Sequence, residues 1–175
     1  LIEAADCTVS GSNTASTSWA VSHPAASAGD LLIFCLGWDD STTVSSVTAP
    51  SGPNGETLTA VNGTAVASAS TEVRAQVWYT VATGSWSAGT RTFTPSASES
   101  WSATVIKVPA GEFDATTPIG ASGTYNANTT SSTSATSPTF SAGSTDKQGR
   151  LVWLAVVDAD PLSATAPTGW SILQR

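Results

Sequence analysis

The sequence predicts an all-β protein, an antiparallel β-sandwich of jelly-roll type with signs of an internal duplication. Helical periodicity is absent from windows of about 11–18 residues, and strong helix formers are scarce. Thr71–Val81 alternates between apolar and polar residues, the pattern of an antiparallel strand with one solvated face. Turn residues separate many other short segments of strand character, which is typical of a sandwich or barrel.

The strands are predicted from their apolar patterns. Leu31–Leu36 and Leu151–Val157 are apolar throughout, which indicates strands covered on both faces. In Thr71–Val81 the side chains of Val77 and Tyr79 are predicted to face the core, and Thr80 is predicted to face solvent. Shorter strands are expected at Ser18–Ser22, Val44–Thr48, Thr57–Val61, Thr90–Thr94 and Trp101–Val108. The turns between them are predicted at Ala28–Asp30, Pro50–Gly55, Asn62–Gly63, Ala88–Gly89 and Pro109–Gly111.

An internal repeat organises the chain. A Gly precedes each of the two fully apolar strands, and the downstream Thr48–Gly52 matches Thr165–Gly169 almost letter for letter. We therefore expect a β-sandwich domain over 1–122, a Ser/Thr-rich linker or edge strand over 123–137, and the truncated start of a second, related β unit over 138–175. In this interpretation Leu31–Leu36 and Leu151–Val157 occupy equivalent positions. The chain contains no Met, so we expect it to be a piece of a longer polypeptide.

Composition bounds the function classes. The net charge is −7 with only six Lys and Arg, which argues against a nucleic-acid partner. No apolar run approaches the roughly 18–20 residues of a membrane span. Charged residues make up 11% of the chain, against about 25% in an ordinary soluble domain. A surface hydrated by hydroxyl groups is typical of extracellular and virion-surface domains, and we expect one of these locations.

The residues of catalytic chemistry are few. His23 is the single His and is predicted to lie on a surface turn before Pro24. No G-x-S-x-G motif occurs, and Cys7, Cys35 and His23 are too few for a closed zinc site. We therefore predict no catalytic residue and no cofactor. Cys7 and Cys35 are either two small buried side chains or a disulfide, and the sequence leaves both open.

Acidic residues follow both fully apolar strands. Asp39 and Asp40 follow the first, and Asp158 and Asp160 follow the second. Their oxygens are suitable Ca²⁺ ligands, so these four are weak calcium candidates, with loop solvation as the alternative.

The chain contains seven Trp, an excess for its length. Most are expected to anchor the core, because each buries a large apolar area. Trp78 falls on the predicted solvent face beside Arg74 and Gln76. These three residues are the predicted binding surface, where an exposed Trp would stack on a sugar ring or anchor a protein partner.

Several stretches resemble a β-sandwich domain of structural proteins in tailed bacteriophages, of the tail, fibre or capsid-decoration type. Ala28–Ile33 is similar to their "GDLLV" strand, and Pro167–Trp170 is similar to their "P-x-G-W" turn. The similar order of elements continues through Trp78–Ala82, Phe93–Ser96, Val108–Asp114 and Thr117–Ile119.

The resemblance implies a non-enzymatic virion structural protein, a capsid decoration or a tail or fibre domain that acts by assembly or host-surface binding. It also implies other virion proteins, further copies of the chain and cell-surface carbohydrate as partners. The alternative is a carbohydrate-binding module or adhesin domain of a secreted bacterial protein, suggested by the Trp excess and the calcium candidates. A hydrolase is a third class, which needs two carboxylates in a cleft.

Overall fold

A computed structural model describes residues 3–39, 44–61, 66–67 and 73–119. A short 3-10 helix at Ala4–Asp6 precedes nine described strands. The strands are β1 (Cys7–Ser16), β2 (Trp19–His23), β3 (Leu31–Asp39), β4 (Val47–Thr48), β5 (Thr59–Ala60), β6 (Val66–Ala67), β7 (Val73–Val81), β8 (Gly89–Pro95) and β9 (Glu99–Val108). None of the described residues forms a helix long and apolar enough to cross a membrane.

The strands form two antiparallel sheets. The large sheet has six strands in the order β1-β9-β3-β7-β5, with β6 also paired to β7, and the small sheet has the order β2-β8-β4. Trp19, Val21 and Phe93 of the small sheet share one buried cluster with Phe34 and Leu36 of the large sheet. The predicted all-β sandwich is confirmed. The jelly-roll connectivity and the duplication stay predictions, because Leu151–Val157 and the whole of 123–175 lie outside the described residues.

Strand β3 is covered on both faces, as its apolar sequence predicted. It lies between β7 and β9, and Leu31 to Trp38 are all buried. Leu32 and Phe34 belong to the core between the sheets. Leu31, Ile33 and Cys35 point the other way and form a second apolar cluster with Val108, Val77, Tyr79, Val81 and Phe113.

Truncating adjacent residues of β3 tests this double cover. Leu32→Ala and Ile33→Ala are each expected to lower the free energy of unfolding by about 2–5 kcal/mol, because both side chains are buried aliphatics. Thr92→Ala, at an exposed position of β8, is expected to change the free energy of unfolding by no more than about 0.5 kcal/mol. Chemical denaturation measures all three. An effect of Ile33→Ala no larger than that of Thr92→Ala would mean that the second face is open to water.

Strand β7 faces opposite to the prediction. Gln76, Trp78 and Thr80 are buried, whereas Val77 and Tyr79 are half-buried on the second face of the large sheet. The prediction that Thr80 faces solvent is therefore wrong, as is the assignment of Val77 and Tyr79 to the core between the sheets. Alternation identifies two faces but not which of them the second sheet covers.

Strand β1 was not predicted, because Cys7–Ser16 is rich in Ser and has few apolar residues. It pairs with β9 at the edge of the large sheet. The Thr8 hydroxyl donates to the carbonyl oxygen of Ser22 in β2 at 2.7 Å, and the backbone N–H of Ser22 donates to the Ser10 hydroxyl at 3.1 Å. Side-chain hydroxyls thus connect the two sheets along this edge, a role that apolar pattern cannot reveal.

Two of the predicted turns contact each other through Asp30. The Asp30 carboxylate accepts from the backbone N–H of Ser27 and from that of Ala110, each at 2.9 Å. Gly29 and Gly111 have positive φ angles of 91° and 82°, which favour glycine. The Gly-Asp turn before β3 and the turn after β9 therefore form one structural unit.

Candidate functional site

The predicted binding surface at Trp78, Arg74 and Gln76 does not form. Trp78 is 3% exposed and packs on Phe93 with ring centroids 5.2 Å apart, so it belongs to the core between the sheets. Gln76 is buried as well. Arg74 is half-buried, and its Nη1 donates to the carbonyl oxygen of Val44 at 3.2 Å. The prediction of an exposed Trp78 is wrong, since a large aromatic ring gains more from core packing than its polar sequence neighbours indicate.

The other described Trp residues are also core residues. Trp19 packs on Trp38 and Trp101 at centroid distances of 5.6 and 6.0 Å. Trp86 is buried near Phe34. None of the described Trp side chains offers an exposed platform for a sugar ring, and the remaining two, Trp153 and Trp170, lie outside the described residues.

The calcium candidates are only partly described. Asp39 is exposed at the end of β3, whereas Asp40, Asp158 and Asp160 lie outside the described residues. Within the described ranges no group of three or more His, Cys, Asp or Glu residues is arranged to hold a metal ion.

Glu56 makes an extensive set of hydrogen bonds. Its buried carboxylate accepts five hydrogen bonds, from the backbone and side-chain N–H groups of Asn54, the backbone N–H and hydroxyl of Thr83, and Nε1 of Trp86. Burial alone raises the pKa of this carboxyl, but the hydrogen bonds outweigh it and hold the pKa well below its usual value. Ionised Glu56 thus connects the Pro50–Gly55 turn to the segment between β7 and β8.

One feature of the sequence near Glu56, the glycine at position 52, is related to this buried carboxylate. Gly52 lies so close to the Glu56 carboxylate and the Trp86 ring that a Cβ there would clash with both. Of the two glycines of this turn, Gly52 therefore reflects crowding, whereas Gly55, with a φ of 87°, reflects the chain reversal. The sequence showed the turn but not the buried carboxylate inside it.

His23 is buried at the end of β2, and the prediction of a surface turn residue is wrong. The side chain is 2% exposed, and its ring meets the Trp86 ring edge-on with centroids 5.2 Å apart. Nδ1 lies 3.0 Å from the carbonyl oxygen of Pro24 and donates to it in the matching tautomer. The Arg91 guanidinium lies 5.4 Å from the Trp86 ring centroid. Residues distant in sequence create this environment, so His23-Pro24 resembled an ordinary turn.

The stability of the protein is expected to depend on pH through His23. Burial lowers the pKa of His23, a hydrogen bond to the Pro24 backbone partly offsets this, and the Arg91 charge lowers it further. The unfolded chain, with an ordinary His pKa of about 6.5, then binds a proton before the folded chain does. Stability is fully present above about pH 6.5 and falls as the pH drops towards the lower folded-state pKa.

Urea denaturation between about pH 7 and pH 5 measures this dependence, because His23 is the single His of the chain. His23→Phe is expected to flatten the profile in this range. An unchanged slope in that variant would assign the dependence to other groups.

Cys7 and Cys35 are both buried and free, which corresponds to the first of the two possibilities that the sequence left open. Cys7 pairs with Ile106, which pairs with Ile33, so β9 separates the two cysteine-bearing strands by about 9.5 Å. A disulfide requires Cα atoms within about 7 Å. Burial, and to a smaller extent the nearby Cys7, raises the pKa of Cys35 to about 12.

The exposed face of the small sheet is uncharged. The side chains on it alternate with the core residues of β2 and β8, and most carry a hydroxyl group. They are Ala20, Ser22, Thr48, Thr90, Thr92 and Thr94. We call this surface the hydroxyl face. Arg91, the single charged residue of the small sheet, lies on the opposite side against Trp86.

Three of the described carboxylates serve structural contacts. Asp6 accepts from Nζ of Lys107 at 2.9 Å, Asp30 joins two turns, and Glu56 joins two loops. These features define an antiparallel β-sandwich whose buried polar groups hold connecting segments in place. Comparison with protein-family models, curated proteins and solved structures finds no match for this chain.

Proposed function

We propose that the chain is a non-enzymatic structural module on the surface of a virion, a capsid decoration or a tail or fibre domain that acts by association. The hydroxyl face is the observation that carries this proposal. A β-sheet face with no charged side chain is unusual on a soluble domain, where both signs of charge are normally interspersed. Desolvating hydroxyl and methyl groups costs less than desolvating ions, so such a face can be buried against a partner.

The sheet edges favour association through this face over strand addition. The described outer strands β4 and β5 are two residues long, and β1 is joined to β2 by hydroxyl groups. Short or covered edges protect a sheet against pairing with another chain. The short or covered edges therefore favour the hydroxyl face over a sheet edge as the docking surface.

The choice of a virion draws on the resemblance of the Gly29-Asp30 strand and its neighbours to tailed-phage structural domains. A secreted module with a carbohydrate-binding role was the alternative, suggested by the Trp excess and the calcium candidates. Trp78, the residue predicted to hold the sugar ring, is buried, so that particular support for the alternative is lost.

Immunogold electron microscopy tests the proposed location. Antibodies raised against the purified chain are expected to label the surface of tailed particles produced by cells that carry its gene. Recovery of the antigen only from the secreted soluble fraction, with unlabelled particles, would contradict the proposal.

Charge substitution tests the hydroxyl face itself. Thr92→Lys is expected to weaken attachment to the particle by about 30-fold or more, because an unpaired charge in an interface costs about 2 kcal/mol or more. Its melting temperature is expected to stay close to that of the unsubstituted chain. Ser98→Lys, at an exposed position outside this face, is the matched control. Equal retention of both variants on particles would exclude the hydroxyl face as the docking surface.

A further inference from the structure

The Pro50–Gly55 turn ends in an Asn-Gly pair, Asn54 and Gly55, directly before Glu56. Both residues of the pair are exposed. An Asn followed by Gly is chemically labile, because glycine has no Cβ to hinder attack of its backbone nitrogen on the preceding side-chain amide. Gly55 has a positive φ of 87°. The conformation of the turn therefore favours the same residue that makes the pair reactive.

The reaction open to this pair is deamidation through a cyclic imide. The Gly55 backbone nitrogen gives up its proton and bonds to Cγ of Asn54, and the bond between Cγ and Nδ2 breaks. Nδ2 takes up a proton and leaves as ammonia. Water then adds to one of the imide carbonyl groups and breaks its bond to the ring nitrogen. The product is aspartate or isoaspartate, so a neutral amide becomes a carboxylate with no oxidant or reductant involved.

Hydrogen bonds restrain both reacting groups in the folded chain. The Gly55 N–H, which must lose its proton, donates to the carbonyl oxygen of Gly52 at 3.1 Å. Asn54 donates to both oxygens of Glu56, from its backbone N–H to Oε2 at 3.0 Å and from Nδ2 to Oε1 at 3.1 Å. The amide group also lies against Gly84, where an added Cβ would be 2.9 Å from Nδ2. Deamidation therefore has to break contacts that the Glu56 carboxylate makes.

The product of the reaction conflicts with the same carboxylate. Burial raises the pKa of Glu56, but the hydrogen bonds hold it well below its usual value, so Glu56 is ionised at neutral pH. Aspartate at position 54 replaces the Nδ2 donor, 3.1 Å from Oε1 of Glu56, by an acceptor oxygen of like charge. Thr83 and Trp86 donate to that same Oε1. The repulsion thus acts on the contact between the turn and the segment that follows β7.

We propose that Asn54 is a deamidation site that Glu56 protects in the folded chain, and that its conversion to a carboxylate loosens the Pro50–Gly55 turn from Thr83 and Trp86. The site then acts as a slow and irreversible timer, because the modified fraction grows with the age of the protein. The inference goes beyond the proposed function and does not depend on it, since it concerns only the chemistry of the chain itself.

Deamidation rates in the full chain test the protection. The unsubstituted chain and Glu56→Gln are incubated at neutral pH, and peptide mapping by mass spectrometry follows replacement of the Asn54 amide by a carboxyl group. Glu56→Gln is expected to raise the rate at least about 10-fold, because Gln offers one neutral acceptor oxygen where Glu offers two charged ones. Trp78→Phe weakens the core but leaves Glu56 in place, and is expected to raise the rate much less.

Amide hydrogen exchange of β3 identifies which variants remain folded. If Glu56→Gln does not fold, the unsubstituted chain provides the comparison, and Asn54 is expected to react at least about 10-fold more slowly in buffer than in guanidinium chloride. Asn13, an exposed Asn followed by Thr14, is the control and is expected to react slowly in both. Equal acceleration in Glu56→Gln and Trp78→Phe, or equal rates at Asn54 in buffer and denaturant, would overturn the protection.

The Asn54→Asp variant reproduces one product and tests its consequence. Urea denaturation at neutral pH is expected to give an unfolding equilibrium constant roughly 10-fold above that of Asn54→Ala, which loses the same donor without adding a charge. This difference is expected to disappear below about pH 4, where the new carboxyl group becomes protonated. Equal stability of the two variants at neutral pH would overturn the loosening of the turn.

Discussion

Replacing Glu56 with Ala is expected to lower the free energy of unfolding by about 3–5 kcal/mol, among the largest effects of any single substitution in the described residues. The substitution removes one carboxylate and leaves the buried Trp86 Nε1 without its acceptor, together with the partly buried backbone N–H of Thr83. An unsatisfied buried donor costs about 1–3 kcal/mol, and hydrogen bonds to a charged group exceed neutral ones. Guanidinium denaturation at pH 7 measures the change.

Two further variants sharpen the interpretation of Glu56. Glu56→Gln keeps an acceptor oxygen but removes the charge, so an intermediate loss is expected. Glu3→Ala removes an exposed carboxylate and is expected to stay within about 0.5 kcal/mol. Because the folded-state pKa of Glu56 is lowered, its contribution is present above the unfolded pKa of about 4.3 and is lost as the pH falls below it. The difference in the free energy of unfolding between wild type and Glu56→Ala is therefore expected to become smaller as the pH falls. A difference below about 1 kcal/mol at pH 7 would show that solvent replaces the carboxylate.

Replacing Trp78 with Ala is expected to lower the free energy of unfolding by about 3–5 kcal/mol, the usual range for a large aromatic residue in a core. The ring is 3% exposed and packs against Phe93 across the sandwich. In a chain of this size each kcal/mol corresponds to about 2–4 °C, so the melting temperature is expected to fall by roughly 6–20 °C. Calorimetry or thermal circular dichroism measures the shift.

The control for Trp78 is an apolar side chain that is exposed. Val9 is 48% exposed on β1, and Val9→Ala is expected to shift the melting temperature little. Trp78→Phe retains an aromatic ring in the core, so its melting temperature is expected to fall less than that of Trp78→Ala. If Trp78→Ala melts like Val9→Ala, the assignment of the two faces of β7 in the structure is reversed.

Local pattern determined the fold class and the central strands of this protein. Leu31–Leu36 lies within β3, Trp101–Val108 within β9, and Thr90–Thr94 within β8, because short runs of apolar and β-branched residues between Gly or Pro turns have few alternatives to strands. The Gly-Asp turn could also be predicted from the sequence, since the positive φ at Gly29 favours glycine. Such features depend on residues that are adjacent in the chain.

Tertiary structure alone decided which way each strand faces and which polar groups are buried. Trp78 and Gln76 turn inward because the small sheet covers that side of β7, and a two-residue period carries no information about where a second sheet lies. His23 and Glu56 are buried because Trp86, far along the chain from both, packs against one and donates to the other. Strand β1 escaped prediction because hydroxyl groups, and not apolar packing, tie it to β2. Burial and partnership are properties of contacts between distant segments, and those contacts exist only once the sheets have packed.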